Sequence, residues 1–209
     1  MSEQDSPALH TAILAAGPST RFGSPKQLIR IGGTPVLHWA VSNAARAAGT
    51  SVTVVLGAHA AEIAPALKRS GASLQVNQGW REGLASSIRT AVTSAPPGCD
   101  GLLLMLADQV DVTAEDLRRL AAGWRRNTRL ACSALYGGMA GLPAIFPSWA
   151  FPDLLGLRGE ADPRIVLRRH SDRLVRIPMP SAATDVNTPE DLLAVAARGP
   201  ARTAEDGDL

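Results

Sequence analysis

At 209 residues, 45% hydrophobic and 19% charged, the chain has the size and composition of one globular domain with a sizeable core. A formal net charge of +2 is too small to imply a polyanionic polymer as partner, and an aromatic share of 4% argues against a surface on which nucleic-acid bases stack. Any anion bound here is expected to be small.

Cys99 and Cys132 stand alone, without the close spacing of a zinc or redox pair, so they read as one buried and one loop thiol. The polar ends, residues 1–7 and 199–209, are expected to be flexible tails around a single domain spanning 8–198. No apolar run approaches spanning length and no apolar signal segment opens the chain, so the expectation is a cytoplasmic protein with neither membrane nor nucleic acid as partner.

The first element is a short apolar run, Ala12-Ile13-Leu14-Ala15-Ala16, which stops at Gly17 and gives way to small residues carrying Arg21 and Lys26. This reads as a buried strand opening into an anion-holding loop. Gly17 and Gly23 can aim several backbone N–H groups at one point, while Arg21 offers a planar fork and Lys26 a mobile point charge. It is not a Walker loop, because Ser24-Pro25-Lys26 follows Gly23, and no Gly-x-Gly-x-x-Gly fingerprint occurs in the chain.

Thr34-Pro35 then reads as a helix N-cap with proline at the first helical position, followed by Leu37, Ala40, Val41, Ala44 and Ala48 at helical spacing up to Gly49. Val52–Leu56 is a β-branched strand ending at Gly57. Ala60, Ile63, Ala64 and Leu67 mark a helix that Pro65 should kink or delay, and Ser73–Val76 is a short third strand. After it comes Asn77-Gln78-Gly79-Trp80-Arg81-Glu82-Gly83, leading into a helix marked by Leu84, Ile88, Ala91, Val92 and Ala95, with Ser86 and Ser87 in its first turn. The Asn77 amide is able to read a base edge and the open helix end to face an anion, whereas Trp80 reads as a hydrophobic anchor.

Leu102–Leu106 is the most continuous apolar run, as a central strand covered on both faces requires. It ends in Ala107-Asp108-Gln109, which places a carboxylate at the sheet edge where open α/β sheets bind ligands. Such a hard oxygen donor suits Mg²⁺ shared with phosphates, the alternative being a turn aspartate, a reading that fits Asp111 better. Thr113–Asp116 opens a capped helix with Leu117, Leu120, Ala121 and Trp124 on one face and Arg118, Arg119, Arg125 and Arg126 on a solvated one.

Strands at Leu130–Tyr136 and Leu142–Phe146 flank a loop, Gly137–Gly141, and Ser148–Leu157 is expected to be a helix interrupted by Pro152. Asp162-Pro163 suits a helix start, with Arg164 either reaching an anion or closing a surface salt bridge. Leu174–Ile177 is a short strand. Thr188-Pro189-Glu190-Asp191 is a cap, proline and acidic first turn for a last helix buried through Leu192, Leu193, Val195 and Ala196. In the extended segment before it, Asp185 and Asn187 point to one side, where both oxygens can meet one cation. His10, His38, His59 and His170 share no ligand spacing and read as structural or exposed.

Strands alternating with helices predict an α/β fold, a three-layer α/β/α Rossmann-like arrangement with a mostly parallel central sheet. Several stretches then fall in a telling order: Leu14-Ala15-Ala16-Gly17 with Arg21, Gly23 and Pro25-Lys26; Asn77-x-x-Trp80-x-x-Gly83-x-x-x-Ser87; Leu106-Ala107-Asp108-Gln109 with Val112-Thr113; Tyr136-x-Gly138-x-x-Gly141-x-Pro143; and Asp185-x-Asn187-Thr188-Pro189-Glu190-Asp191. This series resembles the MobA-like nucleotidyltransferases from about Ala12 to Leu193, and Leu-Ala-Ala-Gly is most similar to the molybdenum cofactor cytidylyltransferases.

The resemblance implies a nucleotidyltransferase that joins CMP from CTP to the terminal phosphate of molybdopterin and releases pyrophosphate. Leu14, Ala15, Ala16, Gly17, Arg21 and Lys26 would hold the NTP, Asn77 and Gly83 would lie against its base, and Ser87 near the phosphates or acceptor. Asp108 and Asp185, with Asn187 as the weaker choice, would hold Mg²⁺, and Arg21, Lys26 and Asp108 would carry the chemistry. A phosphorylated pterin is then the second substrate, and a molybdenum hydroxylase or its chaperone the recipient. Related readings are a transferase acting on a sugar phosphate, alditol phosphate or phospholactate, and a cofactor carrier without catalysis. Leu142 departs from the family, several of whose members carry histidine there, and Glu160 and Asp162-Pro163 alter its Gly-Asp-x-Gly-Ala-Arg segment. The whole assignment requires the carboxyl groups of Asp108 and Asp185, far apart in sequence, to face one ion.

Overall fold

The computed structural model describes residues 7–48 and 51–198, so residues 1–6 and 199–209 of the expected tails, and Gly49, lie outside the described residues. In chain order the elements are β1 (Leu9–Ala15), β2 (Arg30–Ile31), β3 (Thr34–Pro35), α1 (Val36–Ala48), β4 (Val52–Leu56), α2 (Ala60–Ile63), β5 (Ser73–Val76) and α3 (Leu84–Ser94). They continue as β6 (Gly101–Leu106), α4 (Ala114–Arg125), β7 (Ala131–Tyr136), β8 (Met139–Pro147), α5 (Phe151–Leu155), α6 (Arg164–Arg169), β9 (Leu174–Pro178) and α7 (Pro189–Arg198). Seven strands form one sheet in the order β5-β4-β1-β6-β8-β7-β9, in which β8 alone runs against the rest. The fold is the expected mostly parallel α/β sheet with helices on both faces.

The period of two along each strand divides the core. In β1, Leu9, Ile13 and Ala15 join the layer under α1 and α4, while Ala12 and Leu14 join the layer under α3, α5 and α6. β6 repeats the division, with Leu103 and Met105 on one face and Leu102 and Leu104 on the other. With both faces covered, nearly every residue of β1, β4 and β6 is buried, which is why they read as unbroken apolar runs. A third, smaller cluster of Ile31, Val36, Val110, Val186 and Val195, with Phe22 and Leu192 against it, fastens α7 beside the loops that follow β1 and β6.

Several local expectations are corrected. Thr34-Pro35 is no helix cap: these residues pair with Arg30-Ile31 across Gly32 and Gly33, whose φ angles of 58° and 85° make the two-residue turn that joins a hairpin. Pro65 neither kinks nor delays a long helix. The segment divides into α2 and a 3₁₀ turn, Ala64–Leu67, with the proline in the first turn of the second piece, where its missing N–H costs nothing. Pro152 likewise starts α5 rather than interrupting it. The loop between β7 and β8 is Gly137-Gly138 alone, and Met139–Gly141 belong to β8. In α7, Val195 is buried but Leu193 is 69% exposed and Ala196 is also exposed, since the helix rests only on the small third cluster. Among the described residues no helix is long and apolar enough to cross a membrane.

Candidate active site

β1 and β6 lie side by side and parallel, so the loops leaving their carboxyl ends open at one edge of the sheet. Between them is a cavity of about 220 Å³ whose wall includes Leu14, Ala15, Ala16 and Gly17 from the first strand end, Lys26, and Asp108 from the second. Gly83 and Ser87 complete it from the start of α3, and Trp80 and Glu160 border it. A second crevice of about 210 Å³ shares Gly17, Pro18 and Lys26 with the first and carries Arg21 and Asn187. The two adjoin along the loop after β1.

Gln27 shapes that loop. It is buried, and its side-chain amide donates to the carbonyls of Ala15 at 2.9 Å and Gly17 at 3.3 Å, while its oxygen accepts from the Ser19 hydroxyl at 3.2 Å. The Ser19 oxygen in turn accepts from the Lys26 backbone N–H at 3.1 Å, and Ser19 itself has φ 53°, a left-handed conformation that serine seldom adopts. Gln27 escaped the sequence reading although it follows Lys26 directly. A polar side chain reads as surface, and only the folded loop presents it with two carbonyls that need donors.

Lys26 is the hub of the charged cluster. Its ammonium donates to Asp108 Oδ2 at 2.5 Å, Asn187 Oδ1 at 3.0 Å and the Val186 carbonyl at 3.3 Å. The other Asp108 oxygen, Oδ1, is buried and without a hydrogen-bond partner among the described residues. The segment holding Asp185 runs antiparallel to the Asp108 turn, with a bridge between Gln109 and Asp185 and a hydrogen bond of 3.0 Å from Val186 N–H to the Asp108 carbonyl. Gln109 anchors this arrangement from below, its amide donating to the carbonyls of Leu142 at 2.9 Å and Ala182 at 3.0 Å.

Crowding by protein atoms, and then the Asp108 carboxylate, push the Asp185 carboxyl up to about 6, against the opposing pull of Lys26 and Arg164. Asp185 keeps much of its surface in water, which moderates the effect; its direction follows from two causes that both disfavour a second negative charge. The two carboxyl groups therefore sense each other across the bridge that joins their segments. No cluster of three or more His, Cys, Asp or Glu side chains that could hold a metal occurs among the described residues. A pair of carboxylates with a neighbouring amide oxygen is instead the donor set of a hard cation that takes its remaining ligands from phosphate and water. The orphaned Asp108 oxygen fits such an ion.

Of the residues singled out in the sequence, Leu14, Ala15, Ala16, Gly17, Lys26, Gly83, Ser87 and Asp108 line the first cavity, Arg21 lies in the adjoining crevice, and Asp185 adjoins Asp108. Asn77 is set behind the wall. It is 5% exposed, its amide nitrogen donates to Ser86 Oγ at 2.7 Å and Ser87 Oγ at 3.1 Å, and its oxygen accepts from Gly79 N–H at 2.9 Å. Arg164 is paired with Asp162 at 2.7 Å. Trp80 packs close to Ala16 and Gly57, where any side chain on Gly57 would meet the Trp80 Cβ at 2.8 Å, and Arg81 lies 4.4 Å over its ring.

The family model described as the MobA-like NTP transferase domain matches residues 11–174, and the chain belongs to that family of nucleotidyltransferases. Purine catabolism protein PucB of Bacillus subtilis strain 168 is 27% identical over 198 residues, covering 89% of this chain and 95% of that protein. Rv0371c of Mycobacterium tuberculosis H37Rv has a crystal structure that is 28% identical with a TM-score of 0.77, covering 91% of this chain and 98% of that one. Its complex with manganese is 26% identical with a TM-score of 0.74, covering 92% and 100% of the two chains. The bifunctional protein GlmU of Azorhizobium caulinodans is 34% identical over 125 residues, 58% of this chain, and the match spans only 27% of that longer protein.

Proposed function

We propose that this nucleotidyltransferase is a molybdenum cofactor cytidylyltransferase that moves CMP from CTP to the terminal phosphate of molybdopterin, releasing pyrophosphate. The observation that supports the catalytic part is that Lys26 and Asp108, with its unpaired buried oxygen, line the cavity beside the loop after β1, while the segment of Asp185 pairs with the Asp108 turn. The base and acceptor rest on the Leu14-Ala15-Ala16-Gly17 loop and on its likeness to the cytidylyl-transferring branch of the family. A relative named for purine catabolism fits a molybdenum hydroxylase as the eventual recipient, since oxidising purine rings suits that class of enzyme.

Asp108 and Asp185, with Asn187 beside them, would hold Mg²⁺, in keeping with the manganese complex of Rv0371c. When bound, the ion supplies Lewis acidity and charge neutralisation at the α-phosphate. The chain's own residues do the rest. The backbone from Leu14 to Gly17 orients the triphosphate, and Gln27 holds that loop in shape. Arg21 and Lys26 counter the charge that builds on the departing pyrophosphate, in an in-line displacement without a covalent enzyme intermediate. Gly83, at the start of α3, would lie against the base, and Ser87 near the phosphates or acceptor.

The test is pyrophosphate release with each of the four NTPs and Mg²⁺, with and without molybdopterin. Release should require CTP and molybdopterin together. Asp108→Asn should lower turnover on the order of 10² to 10³ while the fold melts normally. Undiminished release by that variant refutes the site, and binding of both ligands without release, by wild type, would make the protein a carrier.

A further inference from the structure

The loop after β1 turns four consecutive carbonyl groups onto donors of the protein. Those of Ala15 and Gly17 accept from the Gln27 amide, at 2.9 and 3.3 Å. Those of Ala16 and Pro18 are held by the turn between β4 and α2: Ala58 N–H donates to the Ala16 carbonyl at 3.2 Å, and His59 Nε2 lies 3.0 Å from the Pro18 carbonyl. Gly57 lets the two segments touch, since a Cβ on it would meet the Ala16 carbonyl at 2.5 Å. A loop that cradles an anion must present N–H groups to it and hold its carbonyl oxygens, with their partial negative charge, elsewhere. Gln27 and Ala58 donate from amides, which do not titrate near neutrality. His59 donates from an imidazole, which does.

Pro18 lines both the first cavity and the adjoining crevice, and Ser19 lines the crevice with Arg21. Holding the Pro18 carbonyl on His59 turns the Ser19 N–H of the same planar peptide the other way. The second ring nitrogen of His59, Nδ1, is 3.1 Å from Glu62 Oε1 in α2. A carbonyl and a carboxylate both accept and neither donates, so the ring satisfies the two together only as the imidazolium. The Pro18 carbonyl, and then Glu62, accordingly raise the His59 pKa above its ordinary 6.5. From the segments packed against this turn, Arg21 and Lys26 of the loop and Arg81 beside Trp80 leave it unperturbed. A neutral ring has one N–H, and the carboxylate is the stronger competitor for it.

Resting on the transferase reading above, we propose that His59 is a positioning residue for the nucleotide: as an imidazolium steadied by Glu62, it keeps the Pro18 carbonyl turned from the triphosphate, so that nucleotide affinity follows its protonation. It acts through the loop and not on the reacting atoms. Because the protonated ring makes both contacts, the latch is complete below 6.5 and is lost as pH rises through the higher value of the folded protein. In Glu62→Gln the new amide can donate to Nδ1, which leaves the proton of a neutral ring on Nε2, facing Pro18.

The experiment measures the dissociation constants of Mg-CTP and the other three Mg-NTPs between about pH 6 and pH 8.5 for the full chain as wild type, His59→Ala, His59→Gln and Glu62→Gln. Each variant is compared with wild type at the same pH on the nucleotide bound tightest, which cancels the titration of Asp185 and of the nucleotide itself. His59→Ala should bind about fivefold more weakly at the acid end and less than about twofold more weakly at the alkaline end. His59→Gln, whose amide donates at every pH, should recover part of the loss. Glu62→Gln should match wild type at the acid end and bind more tightly than it at the alkaline end. Equal binding by His59→Ala and wild type, a loss that does not vary with pH, or a Glu62→Gln variant that follows the wild-type profile overturns the positioning role and leaves the transferase intact. A wild type that binds none of the four Mg-NTPs overturns the transferase reading and this role with it.

Discussion

Lys26 has two sets of partners that it cannot satisfy at once. Without ligands its ammonium lies among Asp108 Oδ2, Asn187 Oδ1 and the Val186 carbonyl, the oxygens that a divalent cation would take. In the proposed reaction it would move to the phosphates of a metal-bound nucleotide. Lys26→Met should therefore bind Mn²⁺ more tightly than wild type when no nucleotide is present, yet turn over on the order of 10² to 10³ more slowly. Titration of Mn²⁺ followed by electron paramagnetic resonance checks the first half, and unaltered affinity would refute the competition. Asp185 carries the pH dependence. Its carboxyl, raised to about 6, is protonated below that value and then a poor ligand, so Mn²⁺ affinity should climb from pH 5 to 7 and level off above. The same shift means that the metal-free fold loses stability as pH rises from the ordinary value of 3.8 through 6, because the folded state holds this proton more tightly than the unfolded chain. Asp185→Asn should flatten both profiles, as calorimetric titration and thermal melts across that range will register.

Among elements, the start of α3 depends on one backbone position. Gly83 has φ 116°, and a Cβ there would meet the Gly159 carbonyl at 2.6 Å and Glu160 Oε1 at 2.7 Å. This close approach lets Ala85 N–H donate to the Gly159 carbonyl at 3.0 Å and Leu84 N–H to Glu160 at 3.3 Å. Gly83→Ala should cost about 1 to 3 kcal/mol, a fall in melting temperature of several degrees, and should weaken nucleotide binding by displacing the cavity wall. A variant that melts and binds like wild type would remove this role. Caps were legible because they are local. Thr113 and Asp116 close a reciprocal box on α4, and Thr188 and Asp191 do the same on α7. The hairpin of β2 and β3 was not legible, because two-residue strands have no periodicity to read and Thr-Pro fits a helix start equally well.

For the molecule as a whole, the site is made of pieces from both ends of the chain: Lys26 and Asn187 are 161 positions apart and Lys26 and Asp108 are 82. A metal and a nucleotide that share such a site should stabilise the fold cooperatively. Mn²⁺ and CTP together are expected to raise the melting temperature by more than the sum of their separate effects, and strictly additive rises would argue against a common site.

The sequence by itself determined the seven strands of the main sheet and most helices, because apolar runs and 3.6-residue spacing depend on nearest neighbours; it marked Arg21, Lys26 and Asp108 because charge after a buried strand is conspicuous, and Asp185 through the extended Asp185-x-Asn187 segment and its family resemblance. The tertiary structure alone decided that Asn77 stands behind the wall, that Gln27 and Gln109 brace the loops and that Lys26 rests on Asp108. Those facts are contacts between residues distant along the chain. The partner of a polar side chain is settled only when the sheet brings its strand ends together.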